Sequence, residues 1–210
     1  MIISYSVFLS FLALIRIHPS VQNFILDKTF KGENYTATRL ARAEYENCIF
    51  EGCDFSKGYL DNQIFLECEF IDCNLSNANI VNTTFKEVKF SHCKLMGLAF
   101  NTCNAFLMDL SFFDCNLSFT IFTELKLAEQ VFTSCKLEEA DFGDCDLSKS
   151  KFDDCNLERV VFGRTNLQKA DFSTATNFSI DPDNNTMTGA IFSKDNLEGL
   201  LQKHKLKILK

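Results

Sequence analysis

The sequence predicts an all-β solenoid, a square β-helix in which four short sides close one coil. Three observations predict it. An apolar residue recurs every five positions, the residue two before it is small, and the composition is skewed to 23 Phe and 10 Cys with two Pro and no Trp. Such a skew means that one kind of packing site is filled again and again.

From Phe30 to Phe100 every fifth residue is apolar, fifteen positions without a miss. After a two-residue slip the register resumes at Phe112 and runs to Phe172 for thirteen more. These centres comprise 15 Phe, 10 Leu, 2 Tyr and 1 Ile. Neither an amphipathic helix nor an ordinary strand has this period. It requires a backbone that turns a right angle per repeat, so that four repeats close a coil. Coils then stack at about 4.8 Å with their backbone groups paired above and below. The framed repeats make about seven coils, a shaft of roughly 35 Å.

The residue two before each centre also points inward, beside a large ring or leucine, and so has to be small. All ten cysteines sit there, with Ala43, Ala78, Ala140 and Ala170. Cys53, Cys73, Cys93, Cys115, Cys135 and Cys155 form one column, separated by 20, 20, 22, 20 and 20 residues. The interval of 22 absorbs the slip, so a small corner loop is expected near Asn101 to Ser111. Column neighbours lie roughly 5 Å apart, within disulfide range, but parallel side chains are poorly aimed for bridging. Buried columns offer no metal cage. Free thiols filling the core are the expectation, and ten reduced thiols imply a reducing compartment, the cytoplasm.

The chain divides into an apolar N-terminal segment or cap at 1–26, the repeats at 27–192 and a helix and strand cap at 193–210. Ile2 to Ile15 is an uncharged apolar stretch followed by Arg16 and Pro19. It has the length of a signal core but lacks a basic segment before it and a clear A-x-A site. It is too short to span a bilayer. A cap or a start placed too far upstream is the first reading; an export signal and a membrane-surface anchor are the others. At the far end Asp181-Pro182-Asp183-Asn184-Asn185 is a turn cluster. Phe192, 20 residues after Phe172, is a last coil side. Asp195 with Glu198 predicts a capped short helix carrying Leu197, Leu200 and Leu201 on one face. Lys205 to Ile208 alternates as an edge strand does, with Leu206 and Ile208 apolar. An open solenoid end needs covering, so these leucines are candidates for a cap or for a homodimer through the C-terminal end.

No catalytic arrangement is legible. His18, His92 and His204 lie far apart, and no triad, zinc signature or glycine-rich phosphate loop is present. Asp54, Asn74, Asn116, Asp141 and Asp171 recur with the repeat, which predicts hydrogen bonds to the backbone at corners. No cofactor or metal is expected, and no enzyme activity.

Charge is more informative. Residues 27–183 hold 26 acidic and 15 basic side chains, a net of −11, while residues 184–210 are net +3. Glu138, Glu139, Asp141, Asp144, Asp146, Asp153, Asp154 and Glu158 concentrate the excess and form a candidate partner-binding surface. An acidic rod disfavours direct nucleic-acid binding. It can instead imitate DNA toward a DNA-handling protein, since a duplex of its length carries about 20 charges. Mimicry needs the acids on one continuous face; solubility alone spreads them evenly.

Cys53-Asp54-Phe55-Ser56, Cys73-Asn74-Leu75-Ser76, Ala140-Asp141-Phe142 and Cys145-Asp146-Leu147-Ser148 match the A/C-D/N-L/F-S/T-x pattern, and over residues 28–192 the chain resembles the pentapeptide-repeat family. That resemblance implies a right-handed quadrilateral β-helix. It further implies, from the quinolone-resistance (Qnr) type, a protein partner such as DNA gyrase or topoisomerase IV, DNA mimicry and a dimer through the C-terminal cap. The tail from Asp195 through Leu197, Leu200 and Leu201 to Leu206 and Ile208 is similar to that cap. The projecting loops of the Qnr type are reduced here to the slip near Asn104 to Asp109.

Overall fold

A five-residue repeat supplies each coil side with one inward centre, flanking outward residues and a corner, so strands can be only two to four residues long. The computed structural model of the chain describes residues 23–106 and 108–207. It is a right-handed, all-parallel, four-sided β-helix. A four-stranded sheet joins β1 (Phe24–Leu26), β3 (Glu44–Glu46), β5 (Ile64–Leu66) and β7 (Thr84–Lys86). A nine-stranded sheet joins β2 (Thr29–Lys31), β4 (Ile49–Glu51), β6 (Glu69–Ile71), β8 (Val88–Ser91), β9 (Leu110–Phe113), β10 (Val131–Thr133), β11 (Lys151–Asp153), β12 (Asp171–Phe172) and β13 (Ile191–Phe192). The other two sides are columns of single parallel bridges, one running Asn34, Asp54, Asn74, Lys94, Asn116, Lys136, Asn156, Thr176 and the other including Ala99, Ile121, Asp141 and Val161.

Each partner lies one coil on, as in Phe50↔Phe70 and Phe132↔Phe152, and the register crosses the slip through Val88↔Leu110 and Phe90↔Phe112. The nine strands enclose about eight turns. The framed repeats account for about seven, and the sides at Ile25 and Phe192, beyond either end of the frame, supply the rest. At the strand spacing the shaft is about 38 Å long.

The corners explain how so short a repeat turns. The residue two after a centre adopts a left-handed conformation, with φ of 54° at Lys57, 55° at Asn77, 58° at Asp144 and 60° at Lys149. Many of these corners are closed by a turn in which the next N–H donates back to the centre's carbonyl, as Gly58 does to Phe55 at 2.8 Å and Ala78 to Leu75 at 3.0 Å. A positive φ at the third residue is what a type II turn demands.

Inside, the centres form ladders. Phe122 stacks on Phe100 and Phe142, each at 4.8 Å between centroids, and Phe132 stacks on Phe152 at 5.0 Å. Between adjacent sides the rings meet edge to face, Phe142 with Phe132 at 5.8 Å and with Phe152 at 6.0 Å. Both geometries suit the ring quadrupole.

The slip is accommodated as a corner excursion. A 3-10 turn at Phe100–Thr102 leads into residues 103–109, and the chain rejoins at β9 with the cysteine column intact. Phe106 there is 71% exposed. At the C-terminus the cap consists of 3-10 turns, Lys194–Leu200 and Gln202–His204, instead of an α-helix. Its N-cap is Ser193, whose Oγ accepts from Asp195 N, so the capping residue precedes the expected Asp195. Gly199 is buried against Phe178, whose ring passes 2.5 Å from where a Cβ would stand, so only glycine lets the cap approach this closely. Lys203 ties the cap to the turn cluster through Asp181 and Asp183. The expected edge strand does not form over Lys205–Lys207: Lys205 takes φ 49°, which ends the 3-10 turn and redirects the chain. Ile208 lies outside the described residues, as does the Ile2 to Ile15 segment. β1 begins at Phe24, so the last residues of the expected 1–26 segment already form a coil side.

Phe142→Ala removes two stacked and two edge contacts from a site with no exposure, and is expected to cost about 3–5 kcal/mol, read as a lower urea midpoint at unchanged slope. The Lys203 ammonium holds the Asp181 carboxyl below its usual range. A depressed carboxylate stabilises the fold above its ordinary value and loses that contribution as pH falls through the folded-state value. Amide exchange across Lys194–Leu200, taken relative to the intrinsic rate at each pH, should therefore quicken on acidification below 3.8, the ordinary aspartate value. Exchange in β11 should not, and Lys203→Met should remove the acid dependence.

Candidate functional site

The inventory of reactive groups begins with the thiols, because the repeat sinks them all. The ten cysteines are free and buried. Their role is more specific than filling space: each Sγ lies within hydrogen-bond reach of a backbone carbonyl. Cys73 donates to Phe50 O at 3.2 Å, Cys93 to Phe70 O at 3.3 Å and Cys145 to Phe122 O at 2.8 Å, each carbonyl being that of a centre in the preceding coil. Thr83, Ser150 and Thr165 make the same bond with a hydroxyl, to Leu60, Leu127 and Phe142. Where the side chain at this position carries a donor it makes this bond, so Cys, Ser and Thr interchange there, while Ala43, Ala78, Ala140 and Ala170 meet only the demand for small size. Burial pushes the Cys68, Cys103 and Cys145 thiols up to about 12. Such thiols are poor nucleophiles. Among the described residues no three His, Cys, Asp or Glu side chains converge as a metal site.

The repeated Asp and Asn side chains close turns, as expected from their periodicity. Asp54 accepts from Ser56 N at 2.9 Å, Asn74 from Ser76 N at 3.1 Å, Asn116 from Ser118 N at 3.1 Å and Asp171 from Ser173 N at 2.9 Å. His92 sits between Asp72 and Asp114, 3.9 Å from each, at an exposed corner.

The eight acids of residues 138–158 are wound around the shaft. Glu138 and Glu158 lie on the side whose centres are Leu137 and Leu157, Asp141 on the next, Asp146 on the next and Asp153 on the nine-stranded sheet, with Glu139, Asp144 and Asp154 at corners. Several are already engaged. Glu139 accepts from Arg159 Nε at 2.9 Å and Glu158 from its Nη1 at 3.0 Å. Asp144 is held by Arg164 through Nε at 2.7 Å and Nη2 at 2.6 Å, which keeps its carboxyl below the usual range. Asp141 and Asp146 accept from the backbone of Gly143 and Ser148, Glu138 from Asn156, and Asp153 from Thr174. Arg159 and Arg164 stand one coil beyond Glu139 and Asp144, a relation set by the 20-residue return of the chain, while Glu158 is the sequence neighbour of Arg159.

At the C-terminal end Leu200 packs against the core, while Leu197, Leu201 and Leu206 are exposed. A second exposed set was not singled out in the sequence. Phe106, Phe113 and Phe119 are 71%, 48% and 50% exposed and all belong to the coil that carries the slip. Phe119 does so at a corner with φ 62°, a conformation bulky residues avoid. The available signal was their being phenylalanines off the five-residue frame.

A family model described as a pentapeptide repeat region matches residues 38–105 and 83–162. No curated protein matches the chain. Among solved structures, a trypsin-treated form of QnrB1, a plasmid-mediated fluoroquinolone resistance protein, is 17% identical over 89% of this chain and 100% of its own, with a TM-score of 0.60. A second trypsin-treated form is 16% identical over 88% and 99%, with a TM-score of 0.56. HetL, involved in heterocyst differentiation regulation in the cyanobacterium Nostoc, is 16% identical over 89% and 92%, with a TM-score of 0.39. The two likenesses to QnrB1 show the fold.

With every thiol buried and its proton held by a carbonyl, iodoacetamide at mildly alkaline pH should modify none of the ten cysteines of the native protein and all ten after unfolding, counted by intact mass.

Proposed function

The chain belongs to the pentapeptide-repeat family, and on that premise we propose that it works without catalysis, as a solenoid that binds another protein through its outer surface. The observation that carries this reading is the coil of Phe106, Phe113 and Phe119. Three aromatics stand exposed on one coil of a shaft whose other rings are largely stacked inside. Exposed aromatics on a rigid scaffold are the side chains that anchor protein interfaces.

The finer reading takes DNA gyrase or topoisomerase IV as the partner, with the shaft standing in for DNA and two copies joined through Leu197, Leu201 and Leu206. Its support is the net charge of −11 on residues 27–183 and the rod of about 38 Å. The winding of the eight acids round all four sides, and their pairing with Arg159 and Arg164, weigh toward the broader reading with another partner. Ten buried thiols fit a reducing compartment, the cytoplasm. Among the described residues no helix is long and apolar enough to cross a membrane.

The deciding experiment is DNA supercoiling by gyrase, with and without a fluoroquinolone, during titration with the full chain. If the topoisomerase reading holds, low-micromolar protein protects or inhibits the enzyme, and replacing Glu138, Glu139, Asp144, Asp154 and Glu158 by their amides removes the effect. Phe113→Ser combined with Phe119→Ser should weaken it roughly tenfold or more, as loss of interface anchors does. Absence of any effect eliminates gyrase as the partner.

A further inference from the structure

The four sides of the shaft are not equally charged. The nine-stranded sheet turns Lys31, Glu51, Glu69, Lys89, Lys151 and Asp153 outward, and the side with the Asn34 to Thr176 bridges carries Asp54, Lys94, Lys136, Glu138 and Glu158. The side whose centres run from Leu60 through Phe100 and Phe122 to Phe162 differs. From Tyr59 to Gly163 its outward residues include no charge other than Asp61 and Asp141. Tyr59, Val81, Ile121 and Val161 lie along it, each between 38% and 50% exposed, and Phe119 stands exposed at its edge. An apolar strip of this kind is suited to docking.

The charges at the two ends of the strip select what fits it. Arg39 and Arg42 stand exposed one coil before Tyr59. Arg39 lies over the Tyr59 ring, 4.2 Å from its centroid, and in a loose pair with Asp61 at 3.6 Å. Five coils on, roughly 24 Å away, Asp141 occupies the same position of the repeat as Arg39, and Asp144 the same position as Arg42. The coils of Asn79 and Ala99 between them carry no charge on this side or at its corners. A second copy laid on this side, antiparallel, matches the pattern in one register. About a two-fold axis between the coils of Asn79 and Ala99, each column faces itself reversed. Arg39 then meets Asp141 of the second copy and Arg42 meets its Asp144, while Tyr59 meets Ile121 and Lys57 meets the Phe119 ring. Each contact occurs twice, as in an isologous pair. A parallel arrangement instead sets arginines beside arginines and acids beside acids, which is unfavourable. The acids have capacity for the contact. Asp141 accepts from Gly143 N through Oδ1, leaving Oδ2, and Arg164 engages each Asp144 oxygen once, leaving each a second lone pair.

We propose that two copies of the chain associate through this side, antiparallel, with Arg39 and Arg42 of each on Asp141 and Asp144 of the other. The overlap is six coils, about 29 Å long and about 10 Å across, smaller than a standard interface, so the association is weak and reversible. The inference is independent of the partner reading: Phe113 lies on the nine-stranded sheet and Phe106 on the corner excursion.

Sedimentation equilibrium of the full chain, from micromolar to millimolar concentration, should show monomers in equilibrium with dimers. Arg42→Glu alone and Asp144→Lys alone should each raise the dissociation constant roughly tenfold or more, since each sets like charges together twice. Lys suits the left-handed corner at Asp144, as it does at Lys149. Arg42→Glu combined with Asp144→Lys in one chain should restore the dimer, because opposite charges again face each other. Within one molecule the two positions are too far apart to rescue one another, so a change in fold does not produce this outcome. Tyr59→Ser should weaken the dimer by a similar factor. The proposal is overturned by a chain that is monomeric at every concentration, which leaves the strip to a different protein, or by a double variant that fails to restore association. It is equally overturned by dimers that both single variants leave unchanged and Leu201→Asp dissociates, which makes the cap the interface.

Discussion

The rest of the structure depends on a left-handed residue at the corner of the coil. Two residues after a centre, from Asp27 to Lys169, the backbone repeatedly adopts φ between 48° and 68°. Most of these residues are not glycine: they are Asp, Asn, Glu, Lys, Arg and even Phe119. For such residues the left-handed region costs about 1–2 kcal/mol each, a penalty renewed several times per coil. What offsets it is closure. The chain returns over itself every coil, its amides pair with the coil above and below, and every centre enters a ladder of stacked rings or leucines. A corner is tolerable only as part of a stack, which is why the fold is cooperative along its axis.

Closure also dictates the chemistry of the interior. The centre's carbonyl is buried, and a buried acceptor without a donor costs about 1–3 kcal/mol. The small residue one coil on answers it with a thiol or hydroxyl, as Cys73, Cys93, Thr83 and Thr165 do. Gln63 reaches Leu40 O by the same logic with a longer side chain. Thiols used this way serve the buried backbone as donors.

On the outside the same return of the chain places residues one coil apart side by side, and much of the charge is paired along the axis. Lys31 with Glu51, Glu69 with Lys89, Glu129 with Lys149, Glu139 with Arg159 and Asp144 with Arg164 are all such pairs. Individually such exposed, solvent-screened pairs add little to stability. Their consequence is electrostatic, since each sets a cation directly beside a carboxylate and so divides the acids into paired and unpaired ones at the same net charge. Also exposed on this surface are the aromatics of the slip coil, Phe106, Phe113 and Phe119, and the cap leucines Leu197, Leu201 and Leu206.

The sequence by itself determined the coil, the inward columns, the survival of the cysteine column across the slip and the turn-closing role of Asp and Asn, because each follows from a period that only one backbone path satisfies. Tertiary structure decided what periodicity does not encode. Ser193 and not Asp195 caps the last turn, Lys205 ends it in place of a strand, and Phe113 and Phe119 emerge where the frame has no inward site. It also decided where the acids fall. A run such as Glu138 to Glu158 reads as a patch along the chain, but each successive repeat turns a right angle. Residues close in sequence are thereby distributed around the rod, and the neighbours that pair with them are brought from the adjacent coil.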